Sequence, residues 1–103
     1  MSRIRITVVR AFSTEELFSE DAPGTMEGYA HVCPNHHPGQ EFVTDSVGCP
    51  EGFCSWAYAD IRRDINHILR DGDYGWIGRK GVAFSACTDG LRPVVFKLER
   101  IED

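Results

Sequence analysis

The sequence predicts an α+β fold: a small antiparallel sheet made of an N-terminal strand, a middle strand and a C-terminal hairpin, with one main helix packed on one face and a short N-terminal helix. Three observations carry that reading. Residues 4–9, Ile-Arg-Ile-Thr-Val-Val, alternate at a period of two and are rich in β-branched side chains, the pattern of a strand with one buried face. Residues 55–69 place Trp56, Ala57, Ile61, Ile65, Ile68 and Leu69 at helical spacing, with Gly72 beyond them as a stop. Residues 82–88 and 93–101 are two β-rich runs joined through Asp89-Gly90, a pair that tolerates positive φ, so they read as a hairpin.

The remaining elements follow in order. Ser13-Thr14-Glu15-Glu16 has the spacing of a capping box, in which each side chain satisfies an amide of the first helical turn, and predicts a short helix over residues 14–19. Residues 21–39 are rich in Gly, Pro and His without periodicity, and a long connection of this kind in a small domain is often functional. Residues 40–45, carrying Phe42 and Val43, predict the middle strand, and residues 47–53 turn the chain through Gly48, Pro50 and Gly52. Ser55 is the expected cap of the main helix. In the last strand Val94, Phe96 and Leu98 should share one face, with Val95, Lys97, Glu99 and Ile101 on the other. The first and last strands, both Val- and Ile-rich, are expected to be central neighbours.

Composition narrows the function classes. A chain of 103 residues with no linker-like stretch predicts one domain, residues 1–103, and 42% hydrophobic residues suffice for a modest core without disulfides or metal. The net charge of −5, with Arg62, Arg63 and Arg70 interleaved with Asp60, Asp64 and Asp71, argues against nucleic acid and against anionic membranes as partners. No apolar window is long enough to span a bilayer, and the N-terminus lacks the apolar stretch of a signal peptide. A cytoplasmic protein is therefore expected. Its four cysteines then read as ligands, reactive thiols or buried side chains before disulfides.

The distinctive chemistry is that set of cysteines together with a His-His pair. Cys33 and His36-His37 lie in the long loop, Cys49 and Cys54 flank the turn into the main helix, and Cys87 ends a strand. Cysteine and histidine are the donors that zinc takes in tetrahedral sites, although the spacings Cys33-x-x-His36 and Cys49-x4-Cys54 do not form a paired C-x-x-C set. Such donors favour zinc or iron over magnesium or calcium, which take oxygen.

These residues resemble an uncharacterised family of short proteins found largely in anaerobic bacteria and archaea. The resemblance covers most of the chain after Val32. It rests on Cys33 with His37 and residues 39–42, on Pro50-Glu-Gly-Phe-Cys54-Ser-Trp-Ala57, on residues 72–76, and on Cys87-Thr-Asp-Gly-Leu-Arg-Pro-Val-Val-Phe96. It implies a site made of Cys33, one histidine of the pair, Cys54 and Cys87, with His37 the expected donor and His36 and Cys49 as substitutes. It implies no reaction. The chain departs from the pattern around the histidines, where it is one residue shorter.

Two other functions compete with a zinc- or iron-binding domain. Cys54, at a helix N-terminus whose partial positive charge favours a thiolate, could be the catalytic residue of a thiol-dependent redox or hydrolytic enzyme, with Cys49 as resolving partner and a histidine as base. Alternatively Trp56, Tyr58, Tyr74 and Trp76 could form the surface of a non-catalytic protein-interaction module, provided the two tryptophans are exposed side by side. Their spacing favours core positions. Asp60, Asp64, His67 and Asp71 fall on one helix face and are expected to be solvated, and His31 to be an ordinary loop residue. Arg92, next to the Asp89-Gly90 turn, could hold an anion near Cys87.

Overall fold

The computed structural model describes residues 2–18, 28–45 and 48–102. Strand β1 (Ser2–Ala11) leads to a one-turn helix α1 (Thr14–Leu17), strand β2 (Glu41–Thr44), the main helix α2 (Ser55–Leu69), a 3-10 turn (Gly75–Ile77), and the hairpin of β3 (Val82–Ala86) and β4 (Val94–Glu102). The strands form one antiparallel sheet in the order β2-β1-β4-β3, so the first and last strands are central neighbours, as their composition predicts. The end of the expected N-terminal helix, the first part of the long loop and Val47 lie outside the described residues.

The sheet is amphipathic because each strand alternates. Ile4, Ile6 and Val8 of β1, Ala83 of β3, and Val94, Phe96 and Leu98 of β4 all face α2 and are buried. The helix answers with Ala57, Tyr58, Ile61, Ile65 and Ile68, one stripe at helical spacing. Burying an isoleucine or phenylalanine side chain stabilises by roughly 1.5–3 kcal/mol, so this interface dominates the stability of the fold. On the opposite face Arg5 pairs with Glu99 and Lys97 with Glu99, charged side chains that keep that face wet. The β1–β4 register shifts between Val8 and Arg10, an irregularity that lets Ala11 still reach Val94.

Short bonds fasten the irregular parts to this frame. Ser13 and Glu16 form the predicted capping box, with Glu16 N–H donating to Ser13 Oγ at 3.1 Å and Ser13 N–H to Glu16 Oε1 at 2.9 Å. Thr14, fully buried, donates through Oγ1 to Leu91 O (2.9 Å) and through its amide to His31 O (2.9 Å). It thereby stitches the cysteine-bearing loop to the hairpin loop. His31 is not a bystander: its ring pairs with Glu15.

The helix ends differ from expectation in instructive ways. Its N-cap is Cys54, not Ser55, and it makes no side-chain capping bond. At the C-terminus the left-handed residue is Asp71 (φ 65°), while Gly72 is needed for close approach: a Cβ there would stand 2.5 Å from His67 O. Arg100 Nη1 donates to Ile68 O at 2.8 Å and satisfies one of the helix's final carbonyls.

Asp64 corrects the expected solvated helix face. It is only 5% exposed, because the segment after the helix folds back and Tyr74 OH donates to Asp64 Oδ1 at 2.6 Å. The carboxylate in turn raises the Tyr74 phenol above its ordinary value. Tyr74→Phe leaves this buried carboxylate without its donor and should destabilise the protein by about 1–3 kcal/mol. In urea unfolding, the Asp64→Asn/Tyr74→Phe double variant should then lose less than the sum of the two single variants.

Candidate functional site

Three cysteines that are far apart in sequence line one pocket of about 820 Å³. Cys33 comes from the loop before β2, Cys54 from the N-cap of α2, and Cys87 from the first residue after β3. The rest of the wall includes His36, Trp56, Asp60, Asp89 and Arg92. All four cysteines of the chain are free thiols.

Two of the three sulfurs accept a backbone amide. Asn35 N–H donates to Cys33 Sγ at 3.4 Å, closing a tight turn over Pro34. Val94 N–H donates to Cys87 Sγ at 3.3 Å, while Cys87 N–H donates to Val94 O at 3.1 Å, which fixes Cys87 against the start of β4. Such amide-to-sulfur bonds orient a thiol in the way that outer-shell partners orient metal ligands. Asp60 Oδ2 accepts from both the amide (2.8 Å) and the hydroxyl (3.0 Å) of Thr88, tying the chain after Cys87 to the first turns of α2.

The histidine at this pocket is His36, the residue expected only as a substitute. It is 1% exposed and sits among the rings of Phe42, Phe53 and Phe96, with centroids 4.7–5.6 Å away. Its Nε2 accepts the Cys54 amide at 3.2 Å, so the ring proton belongs on Nδ1, which faces Gln40 Oε1 at 3.2 Å. Both nitrogens are thus engaged, and His36 holds the backbone of Cys54 rather than its thiol. That is a positioning role, not the geometry of a general base for Cys54 Sγ. His37 is exposed, outside the pocket wall, and its amide donates to the same Gln40 oxygen at 2.9 Å.

Cys49 is not among the residues that line the pocket. It is exposed and donates through Sγ to Phe53 O at 3.3 Å. Burial and the neighbouring Cys54 push its thiol above the ordinary value. Arg92, expected as a possible anion contact, is already committed: Nε donates to Asp89 Oδ2 at 3.1 Å and Nη1 to Ala30 O at 3.0 Å. Burial works against ionisation of Asp89, but the Leu91 amide and the Arg92 guanidinium outweigh it and hold the carboxyl below its usual value.

The donor chemistry of the pocket suits a soft metal, with three cysteines among its lining residues. The side chains do not form a ready-made cage, however. Among the described residues no group of three or more His, Cys, Asp or Glu side chains is arranged to hold a metal ion as it stands.

The aromatic residues also depart from the expected core positions. Trp56 is 85% and Trp76 80% exposed, whereas Tyr58 is buried. The tryptophans are not side by side. Trp56 is on the first turn of α2, and Trp76 stacks on Tyr74, which stacks on His67 near the helix's other end. The eleven residue steps of helix from position 56 to position 67 amount to roughly 16 Å.

Comparison with known proteins finds no match among family models, curated proteins or solved structures. Among the described residues no helix is long and apolar enough to cross a membrane.

Burial holds His36 below its ordinary value of 6.5, against the opposing pull of Gln40. The unfolded chain therefore takes up this proton first as pH falls. The stability tied to a neutral His36 is complete above about 6.5 and declines below it. Urea midpoints measured from pH 8 down to 5 should fall for the wild type and fall less steeply for His36→Gln, whatever constant offset the variant carries. Parallel curves would assign the slope to other groups.

Proposed function

We propose that this protein binds one thiophilic metal ion, zinc or iron, through Cys33, Cys54 and Cys87. The observation that carries the reading is that three cysteines, from a loop, a helix cap and a strand end, line one pocket. The amide bonds to two of the sulfurs support it, as does the resemblance noted above, which picks out the same three residues. Binding requires the thiols to turn toward one another.

On this reading His36 keeps Cys54 in position, and His37, exposed and outside the pocket, is not a ligand. Three protein donors leave a coordination position for water or a small ligand from the pocket, and a metal in an open site supplies Lewis-acid chemistry. The residues of the chain then do the remaining work. Asp60 holds the segment after Cys87 through Thr88, and the Asp89–Arg92 pair closes the rim against Ala30.

The thiol-enzyme reading is less well supported because His36 faces the Cys54 amide and not its sulfur. An interaction surface built on two adjacent tryptophans lacks the adjacency it needs.

Zinc titration followed by elemental analysis of protein purified without a polyhistidine tag should give one ion per chain. Cys33→Ser, Cys54→Ser and Cys87→Ser should each weaken binding at least tenfold, whereas His37→Ala and Cys49→Ser should leave it unchanged. A wild-type protein that stays metal-free with four readily alkylated thiols would count decisively against the proposal.

A further inference from the structure

The turn that leads into α2 brings a fourth thiol within reach of the pocket. Phe53 N–H donates to Pro50 O at 3.1 Å, and Gly52 adopts φ 82°, so residues 50–53 form a closed reverse turn. The first and last Cα atoms of such a turn lie within about 7 Å, and Cys49 and Cys54 are the next residues out on either side. The Cys49 side chain folds across this neck: Sγ is 3.3 Å from the carbonyl oxygen of Phe53, whose carbon is bonded to the Cys54 nitrogen. The turn thus holds the two cysteines on either side of one neck, with the Cys49 sulfur already packed against the peptide that leads into Cys54.

We infer that Cys49 and Cys54 form a reversible disulfide when the protein meets a hydroperoxide, and that this bond takes Cys54 away from the Cys33–Cys87 wall. The consequence for a bound metal rests on the function proposed above; the disulfide itself does not. The reaction starts at Cys54, the one of the two that lines the pocket. The Cys54 thiolate attacks one peroxide oxygen, an S–O bond forms as the O–O bond breaks, and the leaving hydroxide departs as water or, for an organic peroxide, the alkoxide as alcohol. The Cys49 thiolate then attacks the sulfenic sulfur, the S–S bond forms, the S–O bond breaks, and a second water leaves. The two sulfurs lose two electrons and the peroxide gains them. Cys49, exposed and outside the pocket, thus acquires a role as the resolving thiol of a switch.

The sequence provides its own mapping sites. A protease selective for glutamate cuts after Glu41 and Glu51, separating residues 42–51, which carry Cys49, from residues 52–99, which carry Cys54 and Cys87, and from residues 28–41, which carry Cys33. After one equivalent of hydrogen peroxide the free-thiol count should fall from four to two. Peptides 42–51 and 52–99 should then run as one mass that separates on reduction. The link should persist in Cys87→Ser and vanish in Cys54→Ser. Peptides that stay unlinked, or a link involving residues 28–41, would overturn the inference. In zinc-loaded protein the same oxidation should release the ion, and reduction should restore it. Linked peptides in a protein that binds no zinc when reduced would sink the metal reading alone. Zinc binding without linked peptides would sink the disulfide alone.

Discussion

The antiparallel pairing of β1 with β4 is the constraint on which the rest of the molecule depends. It joins the two ends of the described chain across the middle of the sheet, setting Ile6 opposite Leu98 and Val8 opposite Phe96, and so builds the apolar floor on which α2 lies. A register slip of one residue would turn Arg5, Lys97 and Glu99 toward the helix and the isoleucines toward water. Burial of one face thus fixes the pairing.

The pocket follows from that floor. β4 begins at Val94, whose amide holds the sulfur of Cys87, and Val94 is itself paired with Ala11 at the end of β1. From there the chain passes to Thr14, which binds both His31 and Leu91, so the loop containing Cys33 and the loop following Cys87 are held against each other. Phe96 anchors the ring of His36, and His36 accepts the amide of Cys54 at the start of α2. Cys87 is therefore bonded to a central strand, and Cys54 is held through His36, whose ring packs on one. Three cysteines line one pocket because the strand order brings their three segments to the same end of the sheet.

Much of the fold was legible in the sequence because its signals are local. Period-two alternation marked β1 and β4 and assigned Val94, Phe96 and Leu98 to the buried face, the apolar stripe marked α2, and Ser13 and Glu16 marked the capping box. The site was legible only as a set of residue types. Neither spacing nor propensity says that Cys33 and Cys87 line one pocket, since that depends on β4 lying between β1 and β3. The choice between His36 and His37 depends on which ring an aperiodic loop turns inward. The nearby Phe42 and Phe53 were the one signal that a buried aromatic cluster awaited a partner. Asp64 was misread because its partner Tyr74 arrives from beyond the helix, and the tryptophans were misread because helical spacing does not distinguish the first turn's outer side from its inner one.

The account stands or falls on three sulfurs closing on one ion, and the sulfur environment can be read directly. X-ray absorption at the zinc edge of the loaded protein should give three sulfur scatterers at about 2.3 Å and one nitrogen or oxygen near 2.0–2.2 Å. The sulfur count should drop to two in Cys87→Ser and stay at three in Cys49→Ser and His37→Ala. A shell made only of nitrogen and oxygen, or one that is unchanged when Cys87 is replaced, would contradict it.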